Sequence, residues 1–467
     1  MPESIEETYG QIWEGFDKAT SALEERAAKR IRFLLRSVLE GFSPSHLLAD
    51  LSQVNAETLA LGLKRFQEDL EKVPTPLHLG MPDGDAFTLG ESIAATPGSV
   101  VYQNALMQLI HYHAQAEHVY QYPLLLVPAW VNKYYVFDLQ KENSLVRWLV
   151  EQGFNVFVIS WVNPTTEHRD LEYSHYLCDG LIQAIGKVKE LTGQRQVNAL
   201  GYCAGGTLLG SALAWLGAKK DSSVRSATFL TAQLDFSHLG DLGMFLDADL
   251  IGWMEPFFKA RGYVDGPFMA AFFHLLKGGR PLKELFVKKY LKGLEMPSFD
   301  LAYWSADTMN IPEKLHSFFL RDLYLHNRLA QPNALEMNGV PLDLKNCTTP
   351  SFVLAAQKDH IAPWQACYRS LDLLPGPSQF VLAQSGHNAG VINPPGRNKY
   401  GYWTARKKFD SAETFLEEAD FHPGSWWPHW VRWLKKYSGK LCPAAAVASS
   451  NVPAIEAAPG SYVRVRV

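Results

Sequence analysis

The stretch Val197-Asn198-Ala199-Leu200-Gly201-Tyr202-Cys203-Ala204-Gly205-Gly206-Thr207-Leu208-Leu209 decides how this chain is read. A short apolar segment runs into a glycine-flanked cysteine, and an apolar stretch with helical spacing follows: strand, sharp turn, helix. Gly201 and Gly205 bracket Cys203 in a G-x-C-x-G pattern, the cysteine form of the turn that lifts a nucleophile above the end of a strand. Such a turn has no room for side chains beside the nucleophile, which accounts for the glycines. A buried structural cysteine with coincidental glycine neighbours is the bland alternative, and the strand-before, helix-after context weighs against it. The helix is expected to begin near Thr207 and to direct the positive end of its dipole at Cys203.

A thiol at neutral pH is only slightly ionised, so it needs a base or a positive environment. Folds with this turn carry nucleophile, acid and base in that chain order. Both partners occur in that order. Asp359 follows an apolar run at 352–355, in Gln357-Lys358-Asp359-His360-Ile361-Ala362-Pro363-Trp364. His387 follows the next run at 379–382, in Gln384-Ser385-Gly386-His387-Asn388-Ala389-Gly390. Their separation of 28 positions leaves room for one helix and one strand. His360 is the local rival for the base but precedes the last strand, and Asp359 has the alternative of a loop or helix-capping carboxylate. Acyl transfer also needs donors aimed at a developing oxyanion. The backbone N–H of Ala204 is the expected first donor. Val131 is the expected second, from the loop Pro128-Ala129-Trp130-Val131-Asn132-Lys133-Tyr134-Tyr135, unless that loop merely packs its aromatics.

Working outward, apolar runs at 100–103, 124–127, 156–160, 197–200, 227–231, 352–355 and 379–382 read as strands, several of them buried on both faces. Helical stretches such as 144–152 and 207–219 lie between them, so the core is α/β with a parallel, doubly wound sheet. Residues 1–84 read as an N-terminal helical region: Ile5, Tyr9, Ile12 and Phe16, then Leu23, Ala27, Ile31, Leu34, Val38 and Phe42, recur at three- and four-residue spacing, and a further helix runs from Ala56 towards Leu70. Residues 85–440 form the catalytic domain, interrupted at about 235–345 by a helical, aromatic-rich insertion expected to cap the sheet. Residues 441–467 read as a flexible tail, on account of the small-residue run Pro443-Ala444-Ala445-Ala446-Val447-Ala448-Ser449-Ser450.

Composition narrows the function. With 467 residues, 47% hydrophobic and 20% charged, the chain can bury a large core. A net charge of −4 gives no general attraction to nucleic acid. Five cysteines without a C-x-x-C pair fit reduced thiols rather than a disulfide framework or zinc site. His111, His113 and His118 lack the acidic or thiol companions of a metal site, and no metal or other cofactor is expected. The basic cluster Arg397, Lys399, Arg406, Lys407 and Lys408 is either a solvated face or a contact for a phosphate-bearing substrate. The acidic N-terminus and the lack of a long apolar run predict a soluble, intracellular protein without a transmembrane segment.

These residues resemble the polyhydroxyalkanoate synthases, most closely the class I type. The resemblance rests on Thr96-Pro97-Gly98-Ser99-Val100-Val101-Tyr102, Val131-Asn132-Lys133-Tyr134-Tyr135 through Asp138-Leu139-Gln140, and Ser160-Trp161-Val162-Asn163-Pro164. The turn around Cys203, the run Ser385-Gly386-His387 to Ile392-Asn393-Pro394-Pro395, Trp304-Ser305-Ala306-Asp307 and Gly424-Ser425-Trp426-Trp427-Pro428 extend it, as does Pro459-Gly460-Ser461-Tyr462-Val463. It implies an α/β-hydrolase fold and polymerisation of (R)-3-hydroxyacyl-CoA, 3-hydroxybutyryl-CoA by the class I pattern, into polyester with release of CoA. Cys203 would carry the acyl group, with His387 as base and Asp359 either orienting it or activating the incoming 3-hydroxyl. It also implies a homodimer in the cytoplasm, partly on the polyester granule among granule-surface proteins. Two features depart from the family pattern: the region ahead of the matching stretches is shortened, and Ala129 stands where a second proline usually follows Pro128. An ester or lactone hydrolase using the same cysteine, and a non-catalytic granule-binding protein, are the other readings. A cysteinyl thioester stays activated towards an alcohol, and an aromatic cap would keep water from it, which favours transfer over hydrolysis.

Overall fold

Short runs of valine, leucine, isoleucine and phenylalanine line up side by side because each can bury both faces only as an inner strand. The computed structural model describes residues 25, 29, 30, 33, 52, 54–72, 86–276, 286–294, 299–447 and 454–466. It divides into two units.

The larger unit comprises Phe87–Gly240, Leu246–Gly266 and Asp307–Val467. Its main sheet is built from β1 (Gly98–Gln103), β2 (Met107–Tyr112), β3 (Leu124–Val127), β4 (Val156–Trp161), β5 (Val197–Tyr202), β6 (Val224–Leu230), β7 (Ser351–Ala356), β8 (Ser378–Ala383), β9 (Tyr402–Thr404), β10 (Asp420–His422) and β11 (Glu456–Ala457). The order across the sheet is β10-β9-β8-β7-β6-β5-β3-β4-β2-β1-β11. Strands β4, β3, β5, β6, β7 and β8 run parallel, while β2, β1 and β11 on one flank and β9 and β10 on the other are antiparallel. The chain leaves β3 for β4 on one side and leaves β5 for β6 on the other. The crevice for a ligand therefore opens at the C-terminal ends of β3 and β5.

All seven expected strands are present, each within a few residues of its expected bounds. Strand β2 escaped the reading because Gln108 and His111 interrupt its apolar pattern. Both are buried, Gln108 donating to Gln103 Oε1 at 2.7 Å and His111 paired with Asn155 Oδ1 at 2.7 Å. The helices α2 (Leu145–Glu151), α3 (Gln183–Thr192) and α4 (Ala204–Ala218) connect the parallel strands, and α2 is capped by Ser144. Helix α4 begins at Ala204, three residues ahead of the expected start, because the turn at Cys203 leads straight into it. It is buried nearly all round.

The insertion is not one piece. Residues 246–266 and 307–345 belong to the larger unit, where α5 (Ala248–Arg261) is clamped to the segment after α6 (Glu313–Phe318) by a two-pronged pair, Arg321 Nε to Glu255 Oε1 at 2.6 Å and Nη2 to Oε2 at 2.7 Å. The tail also departs from expectation. Residues 441–443 pair with 118–120, Glu456 and Ala457 extend the main sheet, and Val463 is buried. The small-residue composition suggested mobility; residues 441–443, 456–457 and 463 are instead held by backbone pairing and burial, while 448–450 lie outside the described residues.

The smaller unit comprises Met1–Ala86, Asp241–Phe245 and Pro267–Ala306. Its helix α1 (Ala56–Lys72) is capped by Asn55, whose Oδ1 accepts from Thr58 N–H at 2.9 Å. The ring of Phe66 meets Tyr290 edge-on at 5.2 Å, and Phe33 meets Phe245 likewise at 5.6 Å. The expected repeats from Ile5 to Phe16 and from Leu23 to Phe42 lie outside the described residues. Among the described residues no helix is long and apolar enough to cross a membrane.

Candidate active site

Cys203 sits between β5 and α4 with φ of 53°, a backbone region that costs a non-glycine residue roughly 1–3 kcal/mol. Cross-strand bonding holds it there, since its N–H donates to Leu230 O at 2.9 Å and its carbonyl accepts from Gly206 N–H at 2.8 Å. A Cβ on Gly201 would meet Gly206 Cα at 2.5 Å, and one on Gly205 would meet Pro128 O at 2.6 Å. One on Gly206 would collide with the Ala232 methyl. The first two glycines were expected from the pattern. The third is demanded by β6's continuation, which only the fold reveals.

The Asp359 side chain is fully buried and that of His387 nearly so. His387 Nδ1 and Asp359 Oδ2 are 2.6 Å apart. The other carboxylate oxygen, Oδ1, accepts from Ile361 N–H at 2.8 Å and Ala362 N–H at 2.9 Å. The remaining imidazole nitrogen is left for the Cys203 sulfur, which lies close enough to favour the ring's positive charge. His387, not His360 that follows Asp359 in sequence, thus lies with Asp359 and Cys203. Burial opposes its charge, but the Asp359 carboxylate and the Cys203 sulfur outweigh that and push its pKa up to about 10. The loop carrying it is pinned by buried tryptophans: Trp426 Nε1 donates to Gly390 O and Trp427 Nε1 to Val391 O, each at 2.9 Å.

Ala204 is the first residue of α4, so its N–H has no acceptor within the helix. The loop holding Val131 leaves β3 beside Gly205, and Trp161 Nε1 donates to Pro128 O at 3.0 Å. Three further residues, missed in the sequence, belong to this neighbourhood. Tyr324, from the inserted segment, feels the charges of Cys203 and Asp359, and burial raises its phenol. Tyr202 donates to Asn388 Oδ1 at 2.6 Å, and burial raises its phenol as well. Cys367 is fully buried, which pushes its thiol well up. No local pattern marks Tyr324 or Cys367, which come from separate elements, whereas Tyr202 stands beside Cys203 in the turn itself. Trp130, Phe236, Phe319 and Tyr324 form an aromatic wall, with Phe319 5.4 Å from Trp130 and 5.6 Å from Tyr324.

His111 lies stacked on Phe157 at 4.4 Å, and burial lowers its pKa to about 4. Among the described residues no group of three histidines, cysteines or carboxylates is arranged for a metal ion. The basic cluster at 397–408 is exposed, with Lys408 paired to Asp372.

The sheet order and the turn at Cys203 define a protein of the α/β-hydrolase fold, and the family model of that fold matches residues 122–394. A second model, the N-terminus of poly-beta-hydroxybutyrate polymerase, matches residues 6–149. The chain is 38% identical to a poly(3-hydroxyalkanoate) polymerase subunit from Rhizobium etli over 96% of its own length and 71% of that protein. It is 40% identical to poly(3-hydroxyalkanoate) polymerase from Methylorubrum extorquens, over 98% of its own length and 77% of that protein. The chain belongs to the poly(3-hydroxyalkanoate) polymerases, which are acyltransferases.

Two outcomes are expected from the site's geometry. Gly205→Ala should lower stability by about 1–3 kcal/mol, read as the urea midpoint, because backbone rather than a flexible side chain blocks the added methyl. His387 should keep its proton below about pH 10 and lose it above. In Asp359→Asn the main opposing charge is gone, and the midpoint followed by imidazole nitrogen NMR should fall by about 1–3 pH units.

Proposed function

We propose that the chain polymerises (R)-3-hydroxyacyl-CoA, 3-hydroxybutyryl-CoA by its class I resemblance, into polyester through a thioester on Cys203. The observation that carries this reading is buried Asp359 bonded to His387, whose ring is charged by Asp359 and by the sulfur of a cysteine at the head of α4, in a chain of this family. The Cys203 sulfur attacks the thioester carbonyl, and the charge on its oxygen is met by the N–H groups of Ala204 and Val131. Collapse breaks the bond to CoA, and the imidazolium of His387 gives its proton to the departing sulfur. Neutral His387 then takes the proton of an incoming hydroxyl as that oxygen attacks the Cys203 thioester. One C–S bond is traded for another in the first step, and for a C–O ester bond in the second. No cofactor is consumed.

Both Asp359 oxygens are engaged, one by two backbone N–H groups and one by His387. This favours orienting His387 over activating the substrate hydroxyl. The aromatic wall of Trp130, Phe236, Phe319 and Tyr324 favours transfer to an alcohol over hydrolysis, since it shields the thioester and suits an apolar chain. Sealed Cys367 is unsuited to serve as a second acyl carrier. The exposed lysines and arginines at 397–408 suit the phosphates of CoA. By family resemblance the working form is a cytoplasmic homodimer, partly at the granule surface beside granule proteins.

Incubation with 3-hydroxybutyryl-CoA should give free CoA and insoluble polyester. Free 3-hydroxybutyrate in its place would make the chain a hydrolase. Cys203→Ala should take up no label from radioactive hydroxyacyl-CoA, and labelling elsewhere would move the nucleophile. His387→Gln should slow CoA release by about 10²–10⁴-fold, and an unchanged pH–rate profile would count against its role as base.

A further inference from the structure

The loop that brings Val131 to the crevice is fastened from an unexpected place. Lys133, two residues on, is 2% exposed. Its ammonium meets Asp307 Oδ1 at 3.0 Å and the carbonyl oxygens of Val463 and Val465 at 2.7 Å each. Burial lowers the Lys133 pKa and the Asp307 carboxylate opposes that. A buried ammonium is tolerable only with such a set of acceptors, so the tail supplies what the loop's charge requires.

The same knot reaches Val131 itself. Asp307 accepts from Tyr135 OH at 2.7 Å through its other oxygen, Thr308 pairs with Asn132, and Met309 N–H donates to Val131 O at 3.0 Å. Asn163 Nδ2 donates to Val465 O at 3.1 Å, while its Oδ1 accepts from Asn310 N–H at 3.0 Å. The tail is anchored in turn. Tyr462 OH donates to Asn104 O at 2.7 Å, and Ser461 N–H donates to Glu456 Oε1 at 2.9 Å.

We propose that residues 461–465 act, through Lys133 and Asp307, as a positioning element that sets the Val131 N–H for acyl transfer. Lys133 contacts tail and loop rather than the reacting atoms, so it is a positioning residue. The inference rests on the acyl-transfer reading above, and its test separates the two.

Two reactions of Cys203 differ in what they need. Alkylation by iodoacetamide forms an S–C bond at a methylene and expels iodide, with no oxyanion. Acylation by 3-hydroxybutyryl-CoA passes through one. Both are to be measured in the full-length protein, in Lys133→Met, in a chain ending at Ser461, and in the two changes combined. The expected result is acylation slowed by about 10²-fold or more in each variant, with kcat carrying the loss and KM little changed. Alkylation should stay within about three-fold of the parent, and the combined variant should be no slower than either change alone. Equal losses in both reactions would reduce the tail to a general stabiliser and overturn the proposal, as would undiminished acylation. Should Lys133→Met fail to accumulate folded, the truncated chain and Asn163→Ala carry the same comparison. A parent protein that alkylates at Cys203 yet takes no acyl group from the thioester would sink the acyl-transfer reading instead.

Discussion

Everything at the site depends on a backbone that turns where no side chain fits. Cys203 holds a positive φ because β5 hands the chain directly to α4, and the helix crosses close enough that Gly201, Gly205 and Gly206 have no space for a methyl. That crossing puts the sulfur above the sheet edge and the Ala204 N–H at the start of the helix. It also brings the sulfur to the imidazole that arrives from the end of β8. The strain is affordable because β5 and α4 are buried along nearly their whole length and over-determine the turn.

Two buried imidazoles of the larger unit end with opposite charge according to their partners. His387 and His111 are both sealed from water. A carboxylate and a sulfur hold His387 charged up to about 10, whereas His111, facing the neutral amide of Asn155, is driven down to about 4. Lys133 follows the same logic with one carboxylate and two peptide carbonyls. Burial opposes the charged form of each base, and an opposite charge bonded to it works against that. The first network fixes the imidazole near Cys203 and the second fastens the loop that carries Val131.

The inserted segment divides its residues between tasks that composition alone does not separate. Residues 307–309 are stitched to the loop at 131–133, and Phe319 and Tyr324 join Trp130 in the aromatic wall. Asp241–Phe245 and Pro267–Ala306 belong to the other unit, with the described part of the N-terminal region. An aromatic run announces burial, not the surface it is buried against.

Local sequence was enough for whatever the backbone needs locally. The inner strands were legible because two-sided burial requires unbroken apolar runs. The turn at Cys203 was legible because it requires glycine, and the chain order of Cys203, Asp359 and His387 because each follows its own strand. Strand β2 was hidden by Gln108 and His111, which are buried because they bond Ser461 and Asn155 from other segments. The start of α4 shifted to Ala204 because the turn, not helix propensity, sets it. Tyr324, Cys367 and the clasp of Val463 and Val465 on Lys133 came only from the tertiary structure. Their roles come from what other segments place beside them, and a buried lysine or a small-residue tail looks like any other until its acceptors are in position.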